Sequence, residues 1–275
     1  MRVILNSFFG FLLVLAASAR AAAPAHLVLV IEENHSYSQI IGSAECPYIN
    51  ALAAHGALLT RSFAVGHPSE PNYLALLSGS TWGVTDDTCP PPGSPYPGDN
   101  LGSLLRAAGL SFDGYSEGLP KPGSQDCSDG VQSGYRRKHN SWVDFSTLPG
   151  DTNRPFSDFP TDYGALPTLC VVVPDMEHDM HDGSPAEADQ WLRGNLDGYV
   201  RWCTGHASVL WITWDEDNGA EGNRIPTLVY GAGVRAGRIR TRTDHYGVLS
   251  TLCSLYGLKA PGLAARAKPI AGIFK

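Results

Sequence analysis

Short, unbroken apolar runs punctuate the chain and are separated by polar stretches of helical period. His26–Ile31, Leu166–Pro174 and Ser208–Trp214 are rich in β-branched residues and carry no alternation, the pattern of strands buried on both faces. Leu58–Val65, Ser111–Tyr115 and Ile225–Tyr230 read as further strands. Between them, Pro47–Gly56, Glu70–Gly79, Asn100–Ala108, Ser184–Cys203 and His245–Tyr256 read as helices. Ser184 precedes Glu187 by three positions, a capping-box spacing, and Trp191, Leu192, Leu196, Tyr199 and Val200 recur on one helical face. Thr85–Asp99 and Gly118–Gly134 are dense in Pro, Gly, Asp and Ser and read as surface loops. Apolar strands alternating with helices predict an α/β fold: a mostly parallel central sheet with helices on both faces. No repeat or linker divides the chain, so residues 22–275 are expected to form one domain.

The first 21 residues stand apart. Arg2 supplies a positive start, Phe8–Ala17 an apolar stretch, and Ala17-Ser-Ala19 or Ala19-Arg-Ala21 a small-residue cleavage site, the layout of a signal peptide. Its apolar run of about ten residues is short of the ~20 that span a bilayer, so no stable membrane insertion is expected. The reading is a secreted or periplasmic protein. Of the 275 residues, 27 are acidic and 20 basic, and cleavage after Ala21 would move the formal charge from −7 to −9. That balance offers nothing to neutralise a phosphate backbone, so nucleic acid is not an expected partner. Six widely spaced cysteines lack the Cys-x-x-Cys pairs of zinc or redox sites, and their even number suggests disulfides in an oxidising compartment.

Three strands end in acids: Glu32-Glu33-Asn34, Asp175 to Asp182, and Asp215-Glu216-Asp217. Ligands of open α/β sheets bind outside the carboxyl ends of strands, so these clusters can converge on one edge. Converging carboxylates repel unless a cation lies between them, and an all-oxygen set suits a hard divalent ion. Ser69, in Gly66-His-Pro-Ser-Glu-Pro-Asn-Tyr73, falls where a helix begins. There it can cap the helix, or it can attack a phosphorus or carbonyl centre with free amides nearby to take up charge. His178 reads as a solvated loop histidine, and Arg136-Arg-Lys138 as a solvated face able to attract an anionic substrate.

Glu32-Glu-Asn-His-Ser-Tyr, Gly66-His-Pro-Ser-Glu-Pro-Asn-Tyr, Tyr115-Ser-Glu-Gly, Lys138-His-Asn, His178-Asp-Met-His-Asp-Gly and Trp214-Asp-Glu-Asp-Asn-Gly together resemble the phosphoesterase family of acid phosphatases and non-specific phospholipases C. The resemblance runs in order from about Leu27 to the final helix, and it implies an alkaline-phosphatase-like fold. Position by position it implies a metal held by Glu33, Asn34, Asp215 and Glu216 with the Ser69 oxygen also at the ion. It makes Ser69 the nucleophile, and His139 and His181 the residues that contact the phosphoryl group. One divalent ion is expected (Ca, Mg, Mn or Zn), with a small phosphate ester as substrate. An exported acid-phosphatase-type monoesterase is the leading reading. A phospholipase C or other phosphodiesterase is the alternative, and a non-catalytic secreted protein that binds metal and phosphate is a third. Oligomeric state is not readable.

Overall fold

The computed structural model describes residues 23–275; the expected signal segment, residues 1–21, lies outside them. Eleven strands and six α-helices follow in order: β1 (Leu27–Glu32), α1 (Tyr37–Ile40), α2 (Pro47–His55), β2 (Ala57–Leu59), β3 (Ser62–Phe63), α3 (Ser69–Ser78), α4 (Leu101–Ala107), β4 (Phe112–Ser116), β5 (Asn153–Pro155), β6 (Leu169–Val173), α5 (Pro185–Cys203), β7 (Val209–Trp214), β8 (Arg224–Ile225), β9 (Thr227–Gly231), β10 (Gly237–Ile239), β11 (Thr243–Asp244) and α6 (His245–Leu255). Eight strands form one sheet in the order β10-β2-β9-β7-β1-β6-β4-β5. All its pairings are parallel except those of β9, which runs antiparallel to both β2 and β7. The stretch read as a single strand, Leu58–Val65, is in fact two: β2 joins the large sheet, the chain turns at Thr60-Arg61, and β3 pairs with β8 and β11 in a small second sheet.

Strand β1 is buried on both sides, and its alternation sorts two cores. Val28 and Val30 face Ile49 of α2 and Leu192 and Leu196 of α5, while Leu27, Leu29 and Ile31 face Tyr73 and Leu77 of α3, Leu101 of α4 and Leu249 of α6. Burial of these apolar faces from both sides is what drives the layering. Helix α5 starts at the expected capping box, with Ser184 and Glu187 exchanging side-chain and backbone hydrogen bonds. Helix α3 is buried along its whole length and stops at Gly79, whose left-handed backbone (φ 71°) would be strained for another residue. A Cβ there would also lie 2.3 Å from the Pro261 carbonyl oxygen.

The cysteines depart from the expectation of general pairing. Cys89 and Cys127 form a disulfide that ties the two expected loops together. Cys46, Cys170, Cys203 and Cys253 are free thiols buried in the cores, where they pack as small apolar side chains. Among the described residues, no helix is long and apolar enough to cross a membrane.

Candidate active site

Parallel neighbours β1 and β7 end at the same level, with Glu32 paired to Trp214. The next residues, Glu33 and Asp215, therefore emerge side by side at the carboxyl edge. The Asn34 N–H donates to Asp215 Oδ1 at 3.3 Å from a left-handed backbone (φ 50°), and the Glu216 N–H donates to the same oxygen at 2.6 Å. Asp215 Oδ2 is buried with no hydrogen-bond partner. Helix α3 brings the hydroxyls. Pro68 is its N-cap, so Ser69 is the first helical residue and not the cap. The Ser69 hydroxyl donates to Glu33 Oε2 at 2.9 Å, and the Tyr73 phenol, one turn on, donates to Glu33 Oε1 at 2.8 Å. Asn72 on the same helix donates to Glu216 Oε2 at 3.2 Å, and His67 Nδ1 lies 2.9 Å from that oxygen.

A 3₁₀ turn, Arg137–His139, supplies the imidazole beneath Glu33. His139 Nε2 lies 3.1 Å from Glu33 Oε1, Nδ1 lies 3.1 Å from Asp179 Oδ2, and the ring stacks on Tyr73. Held between two carboxylates and a ring, it has one orientation. His181 comes from the loop after β6 and is half-buried; its Nδ1 is 2.8 Å from Asp182 Oδ1 and its Nε2 is 3.2 Å from the Lys138 ammonium. Lys138 also donates to Asp87 at 2.9 Å. Glu33, His139 and His181 each present an atom within 4.8 Å of the others.

The electrostatics ask for a cation. Burial, then the charges of Asp215 and Asp179, push the Glu33 carboxyl well above its usual range. Burial lifts Asp215 to about 7 against the pull of the Glu216 and Asn34 amides, and burial with the Asp215 charge lifts Glu216 to about 9. Acids this close resist ionising together without a positive partner, and Lys138 only partly offsets Glu33. The unpartnered Asp215 oxygen and the oxygen-rich donor set fit a hard divalent ion. Burial also lowers both histidines, His139 further than His181, which keeps the imidazoles neutral at neutral pH.

All the residues singled out from the sequence, Glu33, Asn34, Ser69, His139, His181, Asp215 and Glu216, thus gather at one edge of the sheet. Two readings need correction. His178 is not simply solvated: it sits between Glu117 and Asp175, at 3.0 and 2.9 Å, and stacks on Trp191. The Arg136–Lys138 run is not a solvated face, since Arg137 is buried against Asp144 and Lys138 reaches into the site. Sequence reasoning passed over Tyr73, Asp179 and His67. The spacing of Tyr73 four residues after Ser69, on the same helical face, was the available signal. His245 is placed behind the site, its Nε2 2.6 Å from the Asp215 carbonyl oxygen.

Comparison with known proteins agrees with this architecture. The chain belongs to the Phosphoesterase family, whose model matches residues 43–259. It is similar to a phosphatidylinositol-3-phosphatase of Mycobacterium tuberculosis, with 49% identity over 94% of this chain and 86% of that one. It is also similar to a phosphate-repressible acid phosphatase of Penicillium chrysogenum, with 30% identity over 78% of this chain but only 55% of the longer fungal enzyme. Among solved structures, an alkaline phosphatase superfamily protein from Vibrio parahaemolyticus superposes with a TM-score of 0.60 at 13% identity, over 86% of this chain and 67% of that one. The protein is a hydrolase acting on phosphoric esters.

Proposed function

We propose that this protein is an exported, divalent-cation-dependent phosphomonoesterase that transfers the phosphoryl group to Ser69 before water releases it. The observation that carries the reading is the Ser69 hydroxyl at the first residue of α3, bonded to Glu33 and gathered with Asp215 and its unpartnered oxygen. Glu33, Asn34, Asp215, Glu216 and Ser69 would hold the ion, which when bound neutralises the acids and makes the serine hydroxyl more acidic. Ser69 Oγ attacks phosphorus in line, and its proton has an acceptor in Glu33 Oε2. The Ser69 amide and the Lys138 ammonium face the charge on the equatorial oxygens; the expected row of free amides is reduced to this one, because the Glu70 N–H donates to Asp87 at 3.0 Å and Pro71 has none. His139, with Nδ1 on Asp179, Nε2 on Glu33 and its ring on Tyr73, has no nitrogen free for the phosphoryl group and instead orients the Glu33 carboxylate, which corrects the phosphoryl contact expected of it. His181, the more accessible imidazole, protonates the departing oxygen, and the same ring can take a proton from the water that cleaves phosphoserine. Little covalent help is needed for so loose a transition state, so positioning and charge carry the reaction.

Similarity to proteins named for phosphate monoesters favours monoester over diester substrates. The Cys89–Cys127 bridge supports an oxidising, exported location; N-terminal sequencing of mature protein beginning at Ala22 is the expected check. The activity test assays p-nitrophenyl phosphate, its bis-ester and phosphatidylinositol 3-phosphate with native protein, chelated protein and Ser69→Ala. Monoester turnover lost on chelation and in Ser69→Ala is the expected result. Preferential cleavage of the bis-ester would point to a phosphodiesterase, and phosphate binding without turnover to a non-catalytic protein.

A further inference from the structure

A groove of about 570 Å³, lined by none of the residues gathered around Ser69, opens where the edge of the large sheet meets the small one. Its walls carry Arg61, Arg224, Arg238 and Arg240, together with Tyr37 and Phe63. Arg242, outside the lining, stacks 3.8 Å from the centre of the Phe63 ring, and Arg224 lies 3.9 Å over Tyr37. Arg224 donates twice to the Thr60 carbonyl and reaches Glu221 at 3.6 Å. Among the described residues, arginine ion pairs are otherwise made by Arg136, Arg137, Arg154 and Arg201. Arg61, Arg238, Arg240 and Arg242 have none.

This concentration of unpaired charge stands out in a chain of formal charge −7, because like charges repel and oppose compaction. Charged residues on an edge strand discourage sheet extension, which accounts for Arg238 on β10. It also covers Arg224, since β8 is an edge of the small sheet, but it does not account for Arg61 in the β2–β3 turn, nor for Arg240 and Arg242 between β10 and β11. Guanidinium forks match phosphate oxygens two at a time, and stacking on a ring fixes the fork while its N–H edges stay free.

We propose that this groove binds a compact anion bearing two or more phosphoryl groups, free or as the headgroup of a lipid, at a site distinct from Ser69. Several unpaired forks around one cavity suit clustered phosphates more than a lone monoanion. A single nucleic-acid strand would need open aromatic faces for its bases, and Tyr37 and Phe63 each have a face covered by arginine. The inference rests on the groove alone and not on the phosphoserine reading.

The test measures inositol trisphosphate binding by titration calorimetry to metal-loaded Ser69→Ala protein, with and without Arg238→Glu/Arg240→Glu, while free phosphate is monitored. Both arginines are exposed, and an unchanged melting temperature controls for folding. Binding is expected to weaken about tenfold or more in the arginine variant. The same double substitution in the otherwise native chain should leave p-nitrophenyl phosphate turnover within about twofold. Parallel sedimentation with phosphatidylcholine vesicles, with and without phosphatidylinositol bisphosphate, separates the sources. Capture only by the anionic vesicles assigns a lipid headgroup, and binding of the free trisphosphate alone assigns a soluble ligand. Unaltered trisphosphate binding and vesicle capture in the arginine variant would overturn the proposal. So would equally tight, arginine-dependent binding of a single-stranded oligonucleotide, which would make the groove an unselective cationic surface. Phosphate release by the Ser69→Ala protein would count against the serine nucleophile and leave the arginine comparison readable.

Discussion

Glu32 and Glu33 are neighbours in the chain, both fully buried, and the pleat of β1 turns them to opposite faces of the sheet. Glu33 meets the Ser69 and Tyr73 hydroxyls and the His139 ring on the α3 side. Glu32 lies on the α5 side, and neither of its oxygens has a hydrogen-bond partner. Its acidic neighbours are already engaged. Asp189 spends both oxygens on the Tyr48 and Ile49 amides at the start of α2, and Glu117 and Asp175 close on His178. Acids are thus equally abundant on the two faces. What separates them is a helix that delivers two hydroxyls, those of Ser69 and Tyr73, to one cluster, whereas the other has its acids spent on capping and on an imidazole. Buried carboxylates therefore mark this sheet edge without by themselves marking chemistry.

The comparison can be broken most sharply at Ser69. Ser69→Ala should reduce kcat/KM for p-nitrophenyl phosphate by about 10³-fold or more, measured beside its melting curve; a loss under tenfold would remove the serine from its role. Glu33→Gln should follow, with activity down by about 10²-fold or more and metal content reduced in inductively coupled plasma analysis, whereas Glu32→Gln should leave turnover within about twofold. His181→Asn should cost about 10²-fold and remove one limb of the pH–rate profile. Burial lowers this imidazole, so its acid form, and with it native activity, fades as pH rises through a value below the ordinary histidine range.

The smallest effect belongs to stability on the other face. Burial, then Glu117 and Asp189, raise the Glu32 carboxyl well above its usual range. An acid that holds its proton more tightly when folded stabilises the protein fully below the unfolded pKa of about 4.3 and loses that contribution as pH rises toward the folded value. Melting temperature should therefore decline less between pH 5 and 8 (about three decades of proton activity) in Glu32→Gln than in the native chain. Parallel declines would mean that Glu32 is not buried as an acid.

The three strand ends were legible because parallel strands buried on both faces write continuous apolar runs, and the acids after β1 and β7 fall at equal depth once those strands are adjacent. The antiparallel course of β9 was not legible, since a run such as Thr227–Gly231 looks the same in either direction. Tyr73 opens the apolar run Tyr73-Leu-Ala-Leu-Leu77, which hides its second role: its ring is core and its hydroxyl is the site's. Within Asp175–Asp182, nothing local distinguishes Asp179, which turns inward to His139, from Asp182, which braces His181 near the surface. A turn with Met180 in the left-handed region (φ 79°) decides between them. The arginine groove is not legible in the sequence because its arginines come from three segments, each of which looks like ordinary surface charge.

The central claim is that Glu33, Asp215 and Ser69, from three separate segments, share one cation. Anomalous diffraction from a crystal grown with manganese tests it directly. The expected result is a peak in contact, at about 2.0–2.3 Å, with the carboxylates of Glu33 and Asp215 and the Ser69 oxygen. A peak only at Glu117, Asp175 and His178, or none between β1 and α3, would contradict it.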